Sequence, residues 1–319
     1  MTDPALTGAA TAAPGTPVVS FGERLSRVFA ERGQLCVGID PHSWLLRDWN
    51  LPDTAAGAEA FGRAVIAAAA GRVGVVKPQV AFYERFGSAG FVALERVLAD
   101  ARQADLLVIG DAKRGDLGTS AQAYAEAWLS PGSPLEVDAL TLAAYMGVGS
   151  LDSSLALAAA NGKGIFVLAA TSNPEAADIQ RALVADGPFA GSSVARAILD
   201  DVGQRNAHAG AASVGGAAGL GAAGLGTAGL GSIGVVLGAT LDLAAFGIDV
   251  RHAPAEFRTP VLAPGFGHQG GNIKDLAGIY GGYAGGVIVS ESRSVLSAGP
   301  RRIEEAIERR VAEVGTVRG

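Results

Sequence analysis

Cysteine is almost missing from this sequence, in which Cys36 is the only thiol among 319 residues. A single thiol excludes an internal disulfide framework and a cysteine-cluster zinc site, and it is typical of proteins from a reducing compartment. Blocks of basic residues are missing as well, and the formal net charge is −6. Because no basic patch is available to neutralise phosphates, the chain is not expected to bind nucleic acid. We therefore expect a cytoplasmic protein with no nucleic-acid partner.

Lysine is also scarce, since only four of the 25 basic residues are Lys. Two of the four, Lys77 and Lys113, nevertheless stand at or just beyond the ends of short apolar runs. An ammonium group, unlike a guanidinium, can release a proton and act as an acid. Lys77 and Lys113 are therefore candidate functional residues, whereas Lys163 and Lys274 are interpreted as surface residues.

Glycine, in contrast, is abundant, with 46 residues, and its surplus is concentrated in residues 207–231. This segment holds nine Gly and nine Ala, and an Ala-Gly-Leu-Gly unit recurs in it, starting at Ala218, Ala223 and Ala228. No charged residue occurs over 209–241, so a membrane span and a small-residue helix-packing segment are alternatives. Glycine disfavours helix by about 1 kcal/mol per residue. The segment is therefore predicted to be a low-complexity, mobile insertion, and no membrane association is expected.

The N-terminal residues 1–17 are rich in Ala, Thr, Gly and Pro and lack the basic start and apolar centre of a signal peptide. They are predicted to form a flexible tail. Length alone suggests two domains at about 150 residues each, but α/β barrels of this size are single domains. We expect residues 18–319 to form one domain that carries the insertion at 207–231.

Short apolar runs alternate with longer stretches of helical periodicity. The apolar runs cover residues 35–40, 73–77, 106–111, 139–143, 164–170, 233–239, 259–263 and 286–290. Helical patterns cover residues 21–32, 55–70, 91–103, 121–128, 194–206 and 301–314. Nearly continuous apolar runs indicate strands of a parallel sheet that is buried on both faces. Eight strand–helix units predict a single (β/α)8 TIM barrel, and an open doubly wound sheet is the alternative.

A TIM barrel builds its active site from the loops that follow its strands, and the densest charge in the sequence lies at such a position. Residues 111–116 are Asp-Ala-Lys-Arg-Gly-Asp. If Asp111 and Lys113 end a strand, period-two alternation places their side chains next to each other, with Asp116 in the following turn. A solvated salt-bridge cluster is the alternative. Lys77 at the end of a second strand favours a functional cluster instead.

A second group of residues has the character of a phosphate site. Residues 264–271 are Pro-Gly-Phe-Gly-His-Gln-Gly-Gly, and Arg293 follows the last apolar run. Glycines after a barrel strand allow backbone N–H groups to approach an anion, and the loops after strands 7 and 8 are the usual phosphate cup of this fold. Arg293 can add a bidentate contact. The sequence thus indicates a phosphorylated substrate.

At these motifs the chain resembles the orotidine 5′-phosphate decarboxylase family, and the resemblance extends from Gly38 to Arg293. The motifs that carry it are Gly-Ile-Asp-Pro-His at 38–42, Val-Lys-Pro-Gln at 76–79, Asp-Ala-Lys-Arg-Gly-Asp-Leu-Gly at 111–118, Thr-Ser-Asn-Pro at 171–174 and Pro-Gly-Phe-Gly-His-Gln at 264–269. The Arg-Gly pair inside the third motif is similar to the longer bacterial branch of the family. The resemblance implies decarboxylation of orotidylate to UMP without a cofactor or a metal ion.

The resemblance also implies roles for the charged residues. Lys77, Asp111, Lys113 and Asp116 would form a charged network in which Lys113 is the proton donor. In the family the last aspartate reaches into the site of the neighbouring subunit, so a homodimer with shared active sites is implied. Ser120 stands in the loop offered to the partner, where the family usually has Thr, and its hydroxyl is expected to serve the same purpose.

The substrate-binding residues implied by position are Asp40, Ser120, Ser172, Pro264, Gln269 and Arg293. Asp40 and Lys77 would hold the ribose hydroxyls, and Ser172 would meet the edge of the pyrimidine. Gln269 and Arg293 would bind the phosphate.

Three further positions lie near these motifs. His268 stands beside Gln269, and we interpret it as a solvated loop residue, with a phosphate contact as the alternative. His42 is interpreted as structural. Glu291 lies two residues before Arg293 and is expected to compete with phosphate for the guanidinium group.

Two other functions remain open at this stage. The first is a magnesium-dependent phosphosugar lyase or keto-acid decarboxylase of the same superfamily, which shares the Asp-x-Lys-x-x-Asp pattern. Such enzymes are expected to need an acidic metal ligand at the position where this chain has Lys77, which argues against this alternative. A non-catalytic phosphate-binding barrel is the second alternative, and the complete lysine–aspartate set argues against it.

Overall fold

The computed structural model describes residues 18–214, 229–252 and 259–317. Within these ranges the strands are parallel, pair in chain order and close into a barrel, because the eighth strand also pairs with the first. The strands are β1 (Leu35–Ile39), β2 (Val75–Pro78), β3 (Leu107–Arg114), β4 (Ala139–Leu142), β5 (Gly164–Ala170), β6 (Ile233–Leu237), β7 (Val261–Pro264) and β8 (Val287–Glu291). The prediction of a single (β/α)8 barrel is confirmed, and the doubly wound alternative is excluded.

Helices surround the barrel. In the described ranges they are α1 (Phe21–Arg32), α2 (Ser43–Asp48), α3 (Ala55–Ala69), α4 (Ala81–Glu84), α5 (Gly87–Gln103), α6 (Gly118–Leu129), α7 (Asp152–Ala160), α8 (Ala177–Gln180), α9 (Val194–Val214), α10 (Leu276–Tyr280), α11 (Arg293–Leu296) and α12 (Ile303–Thr316). None of them combines the length and the apolar character of a membrane-spanning segment. The core lies in two layers, one between the helices and the barrel and one inside the barrel.

Helix α1 precedes β1 and closes the amino-terminal end of the barrel. It begins with a capping box in which Ser20 and Glu23 satisfy each other's backbone N–H groups. Phe21, Leu25 and Phe29 recur every four residues, so they lie on one face, and this face packs against the inward-pointing side chains of the strands. With this end filled by apolar side chains, the carboxyl end of the barrel is left for chemistry.

Lys163, interpreted from sequence as a surface residue, is buried. Its ammonium group lies 2.7 Å from Glu136 and 3.9 Å from Asp138, and Arg24 of α1 also contacts Asp138, at 2.5 Å. The surface interpretation was wrong because these carboxylates, which lie at or just before β4, compensate the buried ammonium group. The network lies at the closed end of the barrel, so Lys163 is structural.

The predicted insertion begins inside a helix. Helix α9 continues to Val214, eight residues beyond the predicted end at Asn206. These residues are rich in Ala, the best helix former, which explains the extension. At the other end of the segment, Gly22 approaches the backbone of Leu230 so closely that a Cβ on Gly22 would lie 2.0 Å from the Leu230 carbonyl oxygen. The rest of the predicted insertion, 215–228, and the predicted tail, 1–17, lie outside the described residues.

We expect residues 215–228 to be dispensable for folding and 229–231 not to be. Replacing 215–228 by a short Gly-Ser linker should leave Tm within about 2 °C of the wild type. Excising 207–231 should lower Tm by about 2–6 °C, because it removes the apolar contact of Leu230 with α1, worth about 1–2 kcal/mol. Thermal unfolding followed by circular dichroism compares the two deletions. Equal Tm values for both would contradict a structural role for Leu230.

Candidate active site

The predicted site residues all lie at the carboxyl end of the barrel. They are Asp40 directly after β1, Lys77 in β2, Asp111 and Lys113 in β3, Asp116 and Ser120 between β3 and the start of α6, Ser172 after β5, Pro264 at the end of β7, Gln269 in the loop after β7, and Arg293 at the start of α11. Parallel strands that close into a barrel bring their carboxyl ends into one ring. Residues that are distant in sequence therefore surround one site.

The charged cluster has Asp111 at its centre. Lys77 donates from Nζ to Asp111 Oδ2 at 2.7 Å, and Lys113 donates from Nζ to Asp111 Oδ1 at 2.6 Å. Asp111 and Lys77 are buried, whereas the Lys113 side chain is 46% exposed. One carboxylate thus holds a buried ammonium group on one oxygen and an accessible ammonium group on the other. The accessible group is placed to meet a substrate.

The interactions within the cluster keep both Asp111 and Lys77 ionised. Burial opposes ionisation of Asp111, but Lys77 and Lys113 outweigh it and hold the pKa of Asp111 well below its ordinary value. Burial likewise opposes the charge on Lys77, but the attraction of Asp111, then of Asp40, raises the pKa of Lys77 above its ordinary value. Asp111 therefore stays ionised and Lys77 stays protonated throughout the neutral pH range.

Lys113 and Asp111 are adjacent as predicted, but regular alternation is not the reason. Strand β3 runs on to Arg114, and its register against β4 shifts between Gly110 and Arg114. Lys113 lies in this bulge with φ = 49°, in the left-handed region. Bulges change the direction of a side chain and occur frequently beside active sites. The irregular backbone, and not a continuous strand, directs the Lys113 ammonium group back to Asp111.

Two residues of the cluster were missed by the sequence analysis. Gln79 donates from Nε2 to Asp111 Oδ2 at 2.9 Å, and the Thr141 hydroxyl donates to Asp111 Oδ1 at 3.0 Å. Gln79 belongs to the Val-Lys-Pro-Gln motif and lies two residues after Lys77, a spacing that points both side chains to one side of an extended chain. Thr141 is the single polar residue of the apolar strand β4. Both signals were present in the sequence.

Asp116 does not join this cluster within one chain. Its carboxylate accepts a hydrogen bond from the N–H of Leu117 at 2.8 Å, and it forms no ion pair with any described residue. The single chain therefore brings together three of the four charged residues, and the fourth, Asp116, is the one that is expected to serve the neighbouring subunit. Gly115, just before Asp116, passes so close to the segment after β4 that a Cβ on it would lie 2.4 Å from the Ala143 carbonyl oxygen. Ser120 follows in the first turn of α6 and is exposed.

The loop after β7 forms a compact ring. Gly265 has φ = 113°, a conformation that side chains disfavour, and its carbonyl accepts a hydrogen bond from the Gly271 N–H at 3.0 Å. Gln269 lies in a short 3-10 helix of this ring, and its Oε1 is 3.5 Å from the Ser172 hydroxyl. Two residues predicted to bind opposite ends of a ligand are thus brought together. His268 is exposed, as interpreted from sequence.

Glu291 does not compete for Arg293. Its fully buried carboxylate accepts hydrogen bonds from Arg310 of α12, with Nε at 3.0 Å, and from the Ser294 hydroxyl at 2.5 Å. The expected competition was wrong because Arg310, from a helix late in the sequence, takes the place that Arg293 was expected to occupy. Arg293 itself forms no ion pair with a carboxylate in the described ranges. Its guanidinium group is therefore available to an anion.

The end of β1 contributes a carboxylate with a free oxygen. Asp40 Oδ1 is shielded from solvent and has no hydrogen-bond partner among the described residues. His42 stacks on Trp44 and packs against Phe82 at a ring distance of 4.2 Å, in line with the structural role that we assigned it. Burial lowers the pKa of His42, and Arg293 adds to the effect while Asp40 opposes it. Asp40 is thus a ready acceptor at the rim of the site.

The fold and this site define a (β/α)8-barrel enzyme with a lysine–aspartate cluster and a glycine-rich loop on one face. Comparison with protein families agrees: the model of the Orotidine 5′-phosphate decarboxylase / HUMPS family matches residues 33–306. The chain belongs to this family.

Individual relatives support the assignment. An orotidine 5′-phosphate decarboxylase of Salinispora tropica is 47% identical over 281 residues, which are 88% of this chain and 91% of the relative. One from Streptomyces coelicolor is 43% identical over 299 residues, 93% and 97% of the two chains. A crystal structure of a provisionally assigned orotidine 5′-phosphate decarboxylase from Streptomyces avermitilis superimposes with a TM-score of 0.82 at 43% identity, and covers 97% of this chain and 99% of that one. These relatives are bacterial carboxy-lyases by name, and this chain is an enzyme of that class.

Proposed function

We propose that the chain decarboxylates orotidylate to UMP without a cofactor, a step of pyrimidine biosynthesis in the cytoplasm. The observation that carries the proposal is the Asp111-centred cluster, which presents the accessible ammonium group of Lys113 on the same face as the glycine-rich ring and Arg293. The identity to decarboxylases named for this reaction supports the substrate.

The chemistry needs an acid at one carbon atom. When the bond between C6 and the carboxyl group breaks, the electron pair stays on C6 and CO₂ leaves. The Lys113 ammonium group stabilises this charge and then transfers a proton from Nζ to C6, which gives UMP and a neutral amine that solvent reprotonates. Asp111 and Asp40 keep Lys77 charged, so the cluster does not lose its fixed positive charge at neutral pH. Preorganised charge of this kind acts on the transition state without reorganisation.

Asp111 also acts on the bound substrate in this proposal. A substrate carboxylate that lies beside the ionised Asp111 is repelled, and the repulsion is relieved as CO₂ departs. Asp40 and Lys77 hold the ribose hydroxyls, and Ser172 meets the pyrimidine edge. The ring that follows Pro264 binds the phosphate with Gln269.

Arg293 is expected to supply much of the phosphate affinity. Arg293→Ala should lower kcat/KM for orotidylate about 100-fold, mainly through KM, because charge-assisted hydrogen bonds are worth about 1.5–3 kcal/mol each. Arg301→Ala, which removes an exposed arginine a short distance along the chain, is the matched control and should have no effect. Steady-state kinetics measure both. Equal kinetics for the two variants would contradict the proposed phosphate site.

A homodimer with shared active sites is part of the proposal. Asp116 lies outside the cluster of its own chain, and large apolar side chains are exposed beside it, with Leu117 59% and Tyr145 81% accessible. These residues follow the neighbouring strands β3 and β4, and grouped apolar exposure is typical of an interface. In the dimer, Asp116 and Ser120 face the site of the partner.

Orotidylate turnover tests the proposed function against its alternatives. Purified protein should consume orotidylate, seen as loss of pyrimidine absorbance, at a rate that a chelator does not change. A magnesium-dependent lyase would instead lose its activity with the chelator. Lys77 stands where such a lyase is expected to have an acidic metal ligand, and its ammonium group bonds to Asp111, which favours activity that the chelator does not change. Tight binding of UMP without turnover would indicate the non-catalytic barrel and would overturn the proposal.

A further inference from the structure

The backbone of Lys113 is in an unfavourable conformation. Three non-glycine residues in the described ranges have positive φ, namely Asn50, Asp105 and Lys113. Asn and Asp tolerate this region because their short polar side chains bond locally, but a lysine has no such compensation. A non-glycine residue held there costs of order 1–3 kcal/mol and persists only where its surroundings enforce it. Something must therefore hold Lys113 in place.

The pairing between β3 and β4 shows where the holding contact lies. Gly110 pairs with Leu140 and Arg114 with Leu142, so β3 places more residues between these two points than β4 does. The extra residues lie outside the regular ladder. The N–H of Lys113 instead donates to the side-chain hydroxyl oxygen of Thr141 at 3.0 Å. Thr141 is the residue between Leu140 and Leu142, directly opposite the bulge.

The same hydroxyl also fixes the other end of Lys113. The Thr141 hydroxyl donates to Asp111 Oδ1 at 3.0 Å, and this is the oxygen that binds the Lys113 ammonium group at 2.6 Å. A second acceptor, the Gly110 carbonyl, is more distant at 3.5 Å. One oxygen atom thus holds the Lys113 backbone directly and its ammonium group through Asp111. Thr141 is buried, and its β-branched side chain has a stiff first torsion angle.

We propose that Thr141 is a positioning residue for the reaction. Its hydroxyl holds Lys113 in the left-handed conformation and thereby places the ammonium group next to the position that C6 of the substrate will occupy. The inference rests on the proposed decarboxylase function. Thr141 touches the cluster and not the reacting carbon atom, so it acts through Lys113 and Asp111.

Thr141→Val tests the hydroxyl, because valine keeps the branched shape and removes the oxygen. We expect kcat to fall about 10- to 100-fold with KM within about threefold, since misplacement of a reacting group by about 1 Å can cost 10²-fold. Thr141→Ser restores the hydroxyl and should keep kcat within about threefold of the wild type. If the valine variant does not fold, Thr141→Ala provides the same comparison.

Ser154→Ala is the matched control. Ser154 is also buried, and its hydroxyl bonds to the Ala121 carbonyl at 3.2 Å, away from the cluster. This variant should lower stability without changing kcat. The control thus separates the general effect of removing a buried hydroxyl from the specific effect of removing the Thr141 hydroxyl. A valine variant that loses stability as Ser154→Ala does, with unchanged kcat, would overturn the proposal.

A crystal structure of Thr141→Val gives a readout that is independent of turnover. We expect Lys113 to relax to negative φ and its ammonium group to leave Asp111. If wild-type protein did not turn over orotidylate, the proposed function would fail, but this backbone change would still decide whether Thr141 holds Lys113. An unchanged φ at Lys113 would contradict the positioning role even if the wild type is active.

Discussion

Lys113→Ala is expected to abolish orotidylate turnover, with a loss of at least about 10⁴-fold in kcat. General acid catalysis contributes about 10²–10⁴-fold, and stabilisation of developing charge contributes about 10²–10³-fold, and in the proposed mechanism one ammonium group supplies both. UMP affinity should change only a few-fold, because the proposed phosphate site, formed by Arg293 and the glycine-rich ring, is remote from Lys113. Stopped assays for turnover and calorimetry for UMP binding measure the two quantities on the same preparation.

Two controls separate charge from proton transfer. Lys113→Arg keeps the positive charge but cannot release a proton at neutral pH, so it should also be inactive. Lys274→Ala removes an exposed lysine outside the site and should have wild-type activity. Near-wild-type turnover by Lys113→Ala would show that the mechanism proposed here is wrong.

Mixing two inactive variants should restore activity. Asp116→Ala is expected to be nearly inactive because, in the proposed dimer, each site takes Asp116 from the partner. In a hybrid of Asp116→Ala with Lys113→Ala, one site has an intact Lys113 from one chain and an intact Asp116 from the other, whereas the second site has neither. Random exchange makes half of the dimers hybrids with one good site each, so about a quarter of the wild-type activity should return.

The design contains its own control. A mixture of Lys113→Ala with Lys113→Arg carries the defect in every site and should stay inactive. Hybrid formation is established by native mass spectrometry of differently tagged chains. Confirmed hybrids without restored activity would contradict a shared active site, because they would show that Asp116 serves its own chain or none.

The strands could be predicted well because their signal is local. Buried parallel strands are continuous apolar runs, and a run such as Gly164–Ala170 shows its bounds directly in the sequence. The end of α9 was predicted less well. Its last turns consist mostly of Ala and Gly, which form no periodic apolar face, so the pattern gave no reason to extend the helix to Val214.

The residues that form the site could be predicted from the sequence, but the contacts between their side chains could not. The neighbourhood of Asp111 and Lys113 was expected from their spacing, whereas the bulge that produces it depends on the register with β4. Glu291 shows the same limit. Arg310 is nineteen positions away on another element, and only the folded chain shows that Arg310 pairs with this carboxylate in place of Arg293. Contacts between elements that are distant in sequence cannot be predicted from a local sequence pattern.

Proton NMR of the product formed in D₂O tests whether the enzyme decarboxylates orotidylate and protonates C6 without a metal ion. Chelator-treated protein is supplied with orotidylate, and the nucleotide and the released CO₂ are quantified. We expect one UMP and one CO₂ for each orotidylate, with one deuterium atom at C6, because the ammonium protons of Lys113, the proposed donor, exchange with solvent. Absence of UMP, dependence of the reaction on added metal, or UMP that carries hydrogen instead of deuterium at C6 would contradict this expectation.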